Sequence, residues 1–374
     1  MTLNLERQNH TGGALRVERA IVELRRGRSV EIRDARGASI VAAVDQLGPE
    51  VVEAFRAAGP NLDLLLTRER TNVLGLGESP SEVVKLTLPG TIPVAELLAM
   101  AMELGDEHPP VTGPVKTAQA DAREAAAVAL ARNAQLVPAL LSRRELQPGS
   151  DPELLQVGVD DIAAYPAMRG RHLRQLSRAR VPLAEAEDCE FVVFRERFGD
   201  ADHVAVIIGQ PDFLEPVCVR LHSACLTGDL LASLRCDCGD QLRGGVTQLR
   251  EAGGGILLYL AQEGRGIGLV NKLRAYTLQE KGLDTLQADQ HLGFRADERD
   301  YRVACAMLEA LSVHRVRVLT NNPGKLAGLE ACDIEVVGRI PLPAPVNAHN
   351  SAYLRTKRER AGHLSTGIEP AGEG

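Results

Sequence analysis

Short apolar runs of strand length alternate with helical stretches along most of the sequence, and this alternation constrains the fold more than any other feature. Near the N-terminus, ALRVERAIVELRRG reads as a helix and SIVAAV, LDLLLT and VVKLTL read as strands. From about Ala186 the predicted strands are CEFVVFRERF, HVAVIIGQ, VCVRLHS, GILLYL, VRVLTNN and IEVVGRIPL, and the predicted helices are QLRGGVTQLREAGG, NKLRAYTLQEKG and RDYRVACAMLEALSV. Such alternation is typical of α/β proteins. We therefore predict an α/β (α+β) fold with two domains, both of mixed α/β type.

The stretch between the two alternating regions indicates where one domain ends. Residues 116–145 are rich in alanine, which favours helix, and the following QPGSDPELL is a turn-rich break. We predict an N-terminal α/β domain over 1–145, a helical linker over 146–185, a C-terminal mixed α/β domain over 186–364 and a flexible tail over 365–374. A chain of 374 residues is long enough for each domain to bury its own core.

Charge and composition exclude several classes of partner. The net charge is −7 and the pI is about 5.8, so the overall field does not attract nucleic acid. No uninterrupted apolar run approaches the roughly 18 residues of a membrane span. Seven cysteines, an odd number spread over a long chain, fit reduced thiols better than a disulfide framework. We expect a cytoplasmic protein with no nucleic-acid or membrane partner.

Three of the cysteines lie within fourteen positions in CLTGDLLASLRCDC, at Cys225, Cys236 and Cys238. Thiolates are preferred zinc ligands, and three protein ligands with one open coordination position are typical of a catalytic zinc that holds water. The alternative is that each cysteine is a small buried hydrophobe. The clustering favours metal. The remaining four cysteines lie in strand or helix patterns and are expected in the core: Cys189, Cys218, Cys305 and Cys332.

Further along the chain, a glycine-rich stretch, AQEGRGIGL, follows a predicted strand. Gly264, Gly266 and Gly268 allow the backbone to approach a ligand closely, and Arg265 offers a planar guanidinium to a phosphate. The spacing matches neither the dinucleotide-binding nor the P-loop fingerprint. A turn that needs glycine only for its geometry is the alternative.

Two more stretches combine charge with a predicted helix start. In FRADERDYRV, residues 297–300 are all charged and are predicted to lie in the first helical turn. Acidic groups there complement the helix dipole, but Arg299 opposes it and indicates a bound anion. In VRVLTNNPGK, Thr320 and Lys325 lie at another predicted helix entry, where a simple capped turn is the alternative.

Taken in order, these motifs resemble GTP cyclohydrolase II. The resemblance runs from about 186 to 364 and includes VRLHSACLTGDLLASLRCDCGDQL, LLYLAQEGRGIGLVNKLRAY, GLDTLQAD, LGFRADERDY, LTNNPGK and YLRTKRERAGHL. That family opens the imidazole ring of GTP and releases formate and pyrophosphate in the first committed step of riboflavin synthesis. The resemblance implies a zinc-dependent hydrolase with GTP as substrate, Mg²⁺ bound with the nucleotide, and a homodimer.

The resemblance also implies a role for individual residues. Cys225, Cys236 and Cys238 match the zinc ligands. Asp297 matches a proton acceptor, Arg299 a nucleophile toward the α-phosphate and Tyr276 an active-site tyrosine. The positions that match GTP-contacting motifs are Arg220, Leu221, His222, Ser223, Ala224, Gln241, Glu263, Gly264, Arg265, Thr285, Thr320 and Lys325.

One position departs from the family pattern, because Ala224 replaces a glutamate in H-S-E-C. The substrate contact of that carboxylate is absent. Two alternatives stay open: a nucleotide-binding paralogue or regulator without turnover, which Ala224 and the degenerate first half would explain, and a purely structural zinc site in an interaction module. Arg299 also has an alternative role, electrostatic stabilisation of the phosphoryl group without covalent attack, because a guanidinium is normally protonated.

The N-terminal half carries a second resemblance, through RVERAIVELRRGRSVEIRD and ASIVAAV, to a diverged 3,4-dihydroxy-2-butanone 4-phosphate synthase. That family needs an acidic loop after the first strands for magnesium and proton transfer. The corresponding stretch here is DARGASI, with Asp34 and no glutamate. We therefore expect this half to be a catalytically silent scaffold.

Overall fold

Two seven-stranded sheets, formed from successive parts of the sequence, organise the protein. The computed structural model describes residues 2–77, 79–103, 116–145, 149, 151–171, 173–199, 201–343 and 364. Helices accompany both sheets, which confirms the predicted mixed α/β class. Among the described residues, none of the helices combines the length and the apolar composition that crossing a bilayer requires.

The first sheet has the strand order β5-β4-β3-β6-β2-β1-β7, and every pairing is antiparallel except β1 with β7. Its strands are β1 Val30–Asp34, β2 Gly37–Ala43, β3 Asn61–Thr67, β4 Val83–Pro89, β5 Lys116–Gln119, β6 Leu140–Glu145 and β7 Leu155–Gly158. The helices of this region are α1 Thr2–Arg25, α2 Pro49–Ala57, α3 Arg68–Val73, α4 Val94–Met102, α5 Ala122–Asn133 and α6 Val159–Arg171. Alternate residues of β3, including Leu62, Leu64 and Leu66, enter one buried cluster with residues of α4.

The alanine-rich stretch 116–145, expected to be helical, is helical only in its middle, as α5. Asp121 caps α5, and Glu124 completes a capping box by accepting from the Asp121 backbone N–H. Beyond the helix, Gln135 adopts a φ of 56° and Pro138 follows, so the chain turns into β6. The flanking segments gain hydrogen bonds as β5 and β6, and this outweighs the helix propensity of alanine. Residues 146–185, predicted as a helical linker, contain α6 but also β7 and β8 (Leu173–Arg180), which belong to the sheets.

The second sheet has the order β14-β13-β11-β12-β10-β9-β8. Its other strands are β9 Cys189–Glu196, β10 Asp202–Ile208, β11 Val217–Ser223, β12 Gly255–Leu260, β13 Arg315–Leu319 and β14 Glu335–Ile340. The helices in this part of the sequence are α7 Cys238–Glu251, α8 Gly268–Glu280, α9 Thr285–His291, α10 Arg302–Ala310 and α11 Pro323–Glu330. All six strands predicted for this region are confirmed.

Four neighbouring strands, β14, β13, β11 and β12, run parallel. Side chains on one face of β11, such as Val219 and Leu221, pack in a cluster with α10, and Cys218 on the other face packs with α7 residues. Because both faces of β11 are covered, the buried residues of VCVRLHS follow one another almost without a break instead of alternating with exposed ones. The carboxyl ends of parallel strands lie at one edge of a sheet, which is where open α/β sheets bind ligands.

The chain forms two compact units, in agreement with the predicted two domains, but it passes between them several times. One unit contains Met1–Met168, Val270–Leu283 and Gln287–Glu298, and the other contains Arg169–Leu269, Asp284–Leu286 and Arg299–Gly374. Most of α8 and α9 therefore packs with the N-terminal half of the sequence. We call these the first and the second unit.

Candidate active site

The three predicted metal ligands come together in the second unit. Cys225 follows the end of β11, Cys236 lies in the next loop and Cys238 begins α7. Their Sγ atoms all lie within 4.8 Å of one another, and Cys225 Sγ is 3.7 Å from Cys236 Sγ. Thiolates bound tetrahedrally to zinc at about 2.3 Å are separated by about 3.8 Å. The three cysteines therefore form a cluster that could hold a metal ion, and we call it the cysteine cluster.

Glycine allows the backbone to come close enough to form this cluster. A π-helical turn over Leu226–Leu230 follows Cys225, and the Gly228 N–H donates to Cys225 Sγ at 3.3 Å. A Cβ on Gly228 would lie 2.8 Å from Cys236 Sγ and 3.0 Å from Cys225 Sγ. A side chain at position 228 would therefore push two of the sulfur atoms apart. The N–H donor also stabilises the thiolate form that a metal ion requires.

We predict that Gly228→Ala weakens Zn²⁺ binding by about 10- to 100-fold, as loss of supporting structure around metal ligands usually does. Affinity can be measured by competition with a chromogenic chelator. Gly244→Ala is the matched control, because a Cβ on Gly244 in α7 would meet nothing within 4 Å. Wild-type affinity in the Gly228 variant would show that the close packing at this glycine does not shape the cluster.

Asp229, whose side chain is 7% exposed and which the sequence did not single out, ties the cluster to β11 and β12. Asp229 accepts hydrogen bonds from the Cys225 N–H at 2.9 Å, the Tyr259 hydroxyl at 2.9 Å and His222 Nε2 at 3.1 Å. Burial, followed by the Asp229 charge, raises the pKa of Tyr259 well above its usual range. The only signal in the sequence is an acidic residue between two clustered cysteines. Asp229 thus fixes the backbone of one ligand and the ring of His222.

Two buried polar atoms close to the cluster in sequence have no hydrogen-bond partner in the protein, His222 Nδ1 and Ser223 Oγ. Burial lowers the pKa of His222, and its Nε2 is engaged by Asp229. The ring is therefore neutral with Nδ1 as an acceptor. Buried polar atoms in proteins normally have partners, so this pair marks a place where a ligand or water can bind.

A buried arginine lies on the α7 side of β11. Arg220 donates through one terminal nitrogen to Leu319 O at 3.1 Å and through the other to Gln241 Oε1 at 2.8 Å. Burial, together with a smaller like-charge repulsion from Arg299, lowers the pKa of Arg220 to about 10. Arg220 nevertheless remains charged at neutral pH. The structure thus brings Arg220 and Gln241 together, with Arg299 close enough to repel.

The turn after β13 brings a lysine to the same strand. Lys325, in the first turn of α11, is 6% exposed and its Nζ donates to Leu221 O at 2.6 Å. Thr320 directly follows β13, and its Oγ1 accepts from the Asn322 N–H at 3.0 Å. Asn322 caps α11. The turn is capped, as the structural alternative predicted, and it also delivers a cation to β11.

The glycine-rich stretch forms a tight turn after β12. Gly264, Gly266 and Gly268 have φ values of 61°, 97° and 84°, which only glycine adopts readily, and Arg265 shares this left-handed conformation at 61°. Glu263 Oε2 accepts from the Leu226 N–H at 2.6 Å, and Glu263 Oε1 accepts from the Gly264 N–H at 3.1 Å. Glu263 therefore joins this turn to the loop that carries Cys225.

The charged residues 297–300 do not lie in a helical turn, so that prediction is wrong. Helix α10 begins only at Arg302. Asp300 accepts from the Arg302 N–H at 3.0 Å, and its carbonyl accepts from Gln262 Nε2 at 2.7 Å, which holds the segment outside the helix. The Arg299 guanidinium lies 5.5 Å from the centre of the Tyr301 ring.

The remaining predicted residues lie in different parts of the protein. Tyr276, on α8, and Asp297 belong to the first unit, and Lys272 Nζ lies 5.7 Å from the centre of the Tyr276 ring. Thr285 begins α9 and belongs to the second unit, and the Ala224 N–H donates to Leu260 O at 2.8 Å. The motif YLRTKRERAGHL lies outside the described residues except for its last residue.

Comparison with known proteins places the sequence among named relatives. The sequence model of the family described as GTP cyclohydrolase II matches residues 174–341. A GTP cyclohydrolase-2 of Azospirillum brasilense is 45% identical over 362 residues, which cover 93% of each chain. A GTP cyclohydrolase-2 of Xylella fastidiosa strain 9a5c is 42% identical over 93% of this chain and 87% of its own length. The riboflavin biosynthesis protein RibBA of Chlorobium phaeovibrioides is 43% identical over 56% of this chain and 50% of its own.

Proposed function

The chain belongs to the GTP cyclohydrolase II family, and on that premise we propose that it hydrolyses GTP to formate, pyrophosphate and a phosphoribosylamino-pyrimidine in riboflavin biosynthesis. The proposal depends most on the cysteine cluster, where three Sγ atoms meet within 4.8 Å beside the carboxyl end of β11. The loops after β12 and β13 start at the same edge of the parallel sheet. Ring opening and phosphate release both need groups that converge at one place.

The cysteine cluster suits zinc better than the hard cations, because all three donors are thiolates. A zinc ion held by Cys225, Cys236 and Cys238 would supply Lewis-acid activation of water for attack on the imidazole ring. Asp229 would keep the Cys225 backbone and the His222 ring in place during the reaction, since it bonds to both. The unpaired Nδ1 of His222 and Oγ of Ser223 would face polar atoms of the substrate.

Cationic side chains of the second unit suit the triphosphate, which we propose binds with Mg²⁺. Arg299 repels Arg220, which lies on β11. Lys325 donates a hydrogen bond to Leu221 O of the same strand. Arg265 adds a further guanidinium on the turn after β12. We assign Arg299 to the α-phosphate, and Asp297 and Tyr276 to the family's proton acceptor and active-site tyrosine. Gln241, Glu263, Gly264, Thr285 and Thr320 would complete the substrate contacts.

The replacement of a family glutamate by Ala224 removes one carboxylate and leaves the rest of the arrangement intact. The Ala224 backbone remains bonded to Leu260 O, so the strand end keeps its geometry. We therefore expect turnover to be retained with weaker binding of GTP. We further propose that the N-terminal half lacks dihydroxybutanone-phosphate synthase activity and that the protein is a homodimer.

The test is to incubate the purified full chain with Zn²⁺, Mg²⁺ and GTP, and to measure bound zinc, formate and pyrophosphate. We expect formate and pyrophosphate in equal amounts from zinc-loaded protein. Bound zinc and bound GTP without formate would instead indicate a nucleotide-binding paralogue. Bound zinc with neither GTP binding nor formate would indicate a structural metal site.

A further inference from the structure

Within the first unit, the N-terminal half of the sequence holds helix α8 through buried polar contacts. Arg274 donates to Asp45 Oδ2 at 2.9 Å, and the Asp45 side chain is only 2% exposed. Asn271, 1% exposed, donates through Nδ2 to Gln135 O at 2.8 Å. Both contacts hold α8 in its position relative to the N-terminal half. Breaking either of them would leave a buried polar group without its partner, which costs free energy. Helix α8 carries Tyr276.

A buried arginine of the N-terminal half holds the end of helix α9. Arg70 is 1% exposed and donates to His291 O at 2.7 Å, while its other nitrogens donate to carbonyls at the end of α4. Burial lowers the pKa of Arg70 to about 10, so it is still charged at neutral pH. The Arg70 guanidinium thus donates to backbone carbonyls at the C-terminal ends of two helices, α4 and α9.

The residues after α9 pack directly on the same region. A Cβ on Gly293 would lie 2.8 Å from Thr67 Oγ1 and 3.2 Å from Pro138 Cγ, so a side chain at position 293 would clash with the side chains of Thr67 and Pro138. Gly293 also has a φ of 80°. Phe294 follows with 1% exposure. The segment that precedes Asp297 therefore packs against residues of the N-terminal half.

Ion pairs hold both sides of Asp297. Arg132 Nε lies 3.3 Å from Glu298 Oε1, and the two side chains are 13% and 12% exposed. The Arg132 N–H is not directed for a hydrogen bond, so the contact is ionic. Arg295 pairs with Glu82 at 2.8 Å on the surface, and the Arg295 N–H donates to Glu298 Oε1 at 2.9 Å. Glu298 thereby links the Arg295 backbone to Arg132. These contacts restrain residues on both sides of Asp297 in the sequence.

We propose that the N-terminal half is a positioning scaffold for the cyclohydrolase reaction, in which Arg132 positions Asp297 through Glu298. This proposal rests on the function proposed above, because it takes Asp297 as the proton acceptor. Asp45, through Arg274, holds in the same way the helix that carries Tyr276. This role explains why the chain keeps an N-terminal half that we propose has no catalytic activity of its own. The segments that this half holds carry two proposed active-site residues.

The experiment compares wild type with Arg132→Met, Glu298→Gln and the double variant in the full chain. We expect each single change to lower kcat for formate release by about 10- to 100-fold, since misplacing a reacting group by about 1 Å has effects of this size. KM for GTP and zinc content should stay within twofold of wild type. The double variant should lose no more than the worse single variant, because the Arg132–Glu298 pair is the contact that both changes remove. Arg132→Met also removes the longer pair of Arg132 with Glu69 at 3.8 Å.

Lys85→Met is the matched control. It breaks another partly buried ion pair of the N-terminal half, Lys85 to Glu124 at 2.9 Å, with side-chain exposures of 25% and 6%. Its kcat should equal that of wild type even if its melting temperature falls.

The possible outcomes distinguish failure of the scaffold proposal from failure of the proposed function on which it rests. A zinc-loaded wild-type protein without formate release would refute the proposed function. An active wild type with unchanged kcat in both Arg132→Met and Glu298→Gln would overturn the scaffold proposal. Independent, multiplicative losses in the double variant, or equal losses in Lys85→Met, would overturn it as well. Glu298→Gln preserves side-chain volume, so it remains informative if Arg132→Met folds poorly.

Discussion

Cys236→Ser should bind no zinc and should release formate from GTP no faster than the uncatalysed reaction. Serine replaces a soft thiolate by a hydroxyl that stays protonated at neutral pH, and two thiolates alone hold zinc weakly. The fold should survive, because Cys236 lies in the loop before α7 and serine nearly matches the volume of cysteine. Zinc content by atomic emission, formate release and the melting temperature together check this result.

Cys332→Ser provides the control for the loss of one thiol. Cys332 lies after α11, is half-buried and donates to Gly328 O, away from the described cluster residues. It should retain zinc and activity. Full activity in zinc-free Cys236→Ser protein would end the idea that a metal ion drives the hydrolysis.

Arg299→Ala should release neither formate nor pyrophosphate at an appreciable rate, with zinc still bound. Burial and, to a smaller extent, repulsion by Arg299 lower the pKa of Arg220. On the function proposed above, a bound phosphate would accept hydrogen bonds from the Arg299 guanidinium and reduce this repulsion. Arg299→Lys should also be poor, because an ammonium cannot reproduce the planar fork. If attachment at the α-phosphate comes first, both products depend on Arg299.

Paired assays of the two products separate this role from that of the metal. Cys225→Ser should still release some pyrophosphate while releasing no formate, because its defect is confined to ring opening. Arg315→Ala is the control for charge loss, since Arg315 forms an exposed ion pair with Glu335 in the same unit. Formate release from Arg299→Ala at close to the wild-type rate would exclude Arg299 as both nucleophile and essential phosphate ligand.

Local patterns carried enough information to predict six of the seven strands of the second sheet and the cysteine cluster. Runs such as VCVRLHS and GILLYL are apolar because both faces of the parallel strands are buried, and turns bound them on each side. Cys225, Cys236 and Cys238 could be grouped because a single loop and the start of α7 separate them. The glycine turn at 263–266 was predictable for the same reason, since its conformation depends on its own residues.

Contacts between distant residues could not be predicted in this way. Arg70 and His291 are 221 positions apart, and no pattern along the chain pairs an arginine with a helix end so far away. The role of Asp229 depends on Tyr259 of a neighbouring strand and was missed. The start of α10 at Arg302 was misplaced because Asp300 bonds locally to the backbone, which competes with helix formation.

The order in which the two units can be completed during synthesis follows from the path of the chain between them. The first unit contains residues up to Glu298, so a ribosome must release most of the chain before that unit can close. Until then, side chains of the N-terminal half that later meet α8 and α9 are exposed to water, a state prone to aggregation. We expect covalent linkage of the two halves to shorten this exposed state, because α8 and α9 are then made on the same chain as the surfaces that they cover.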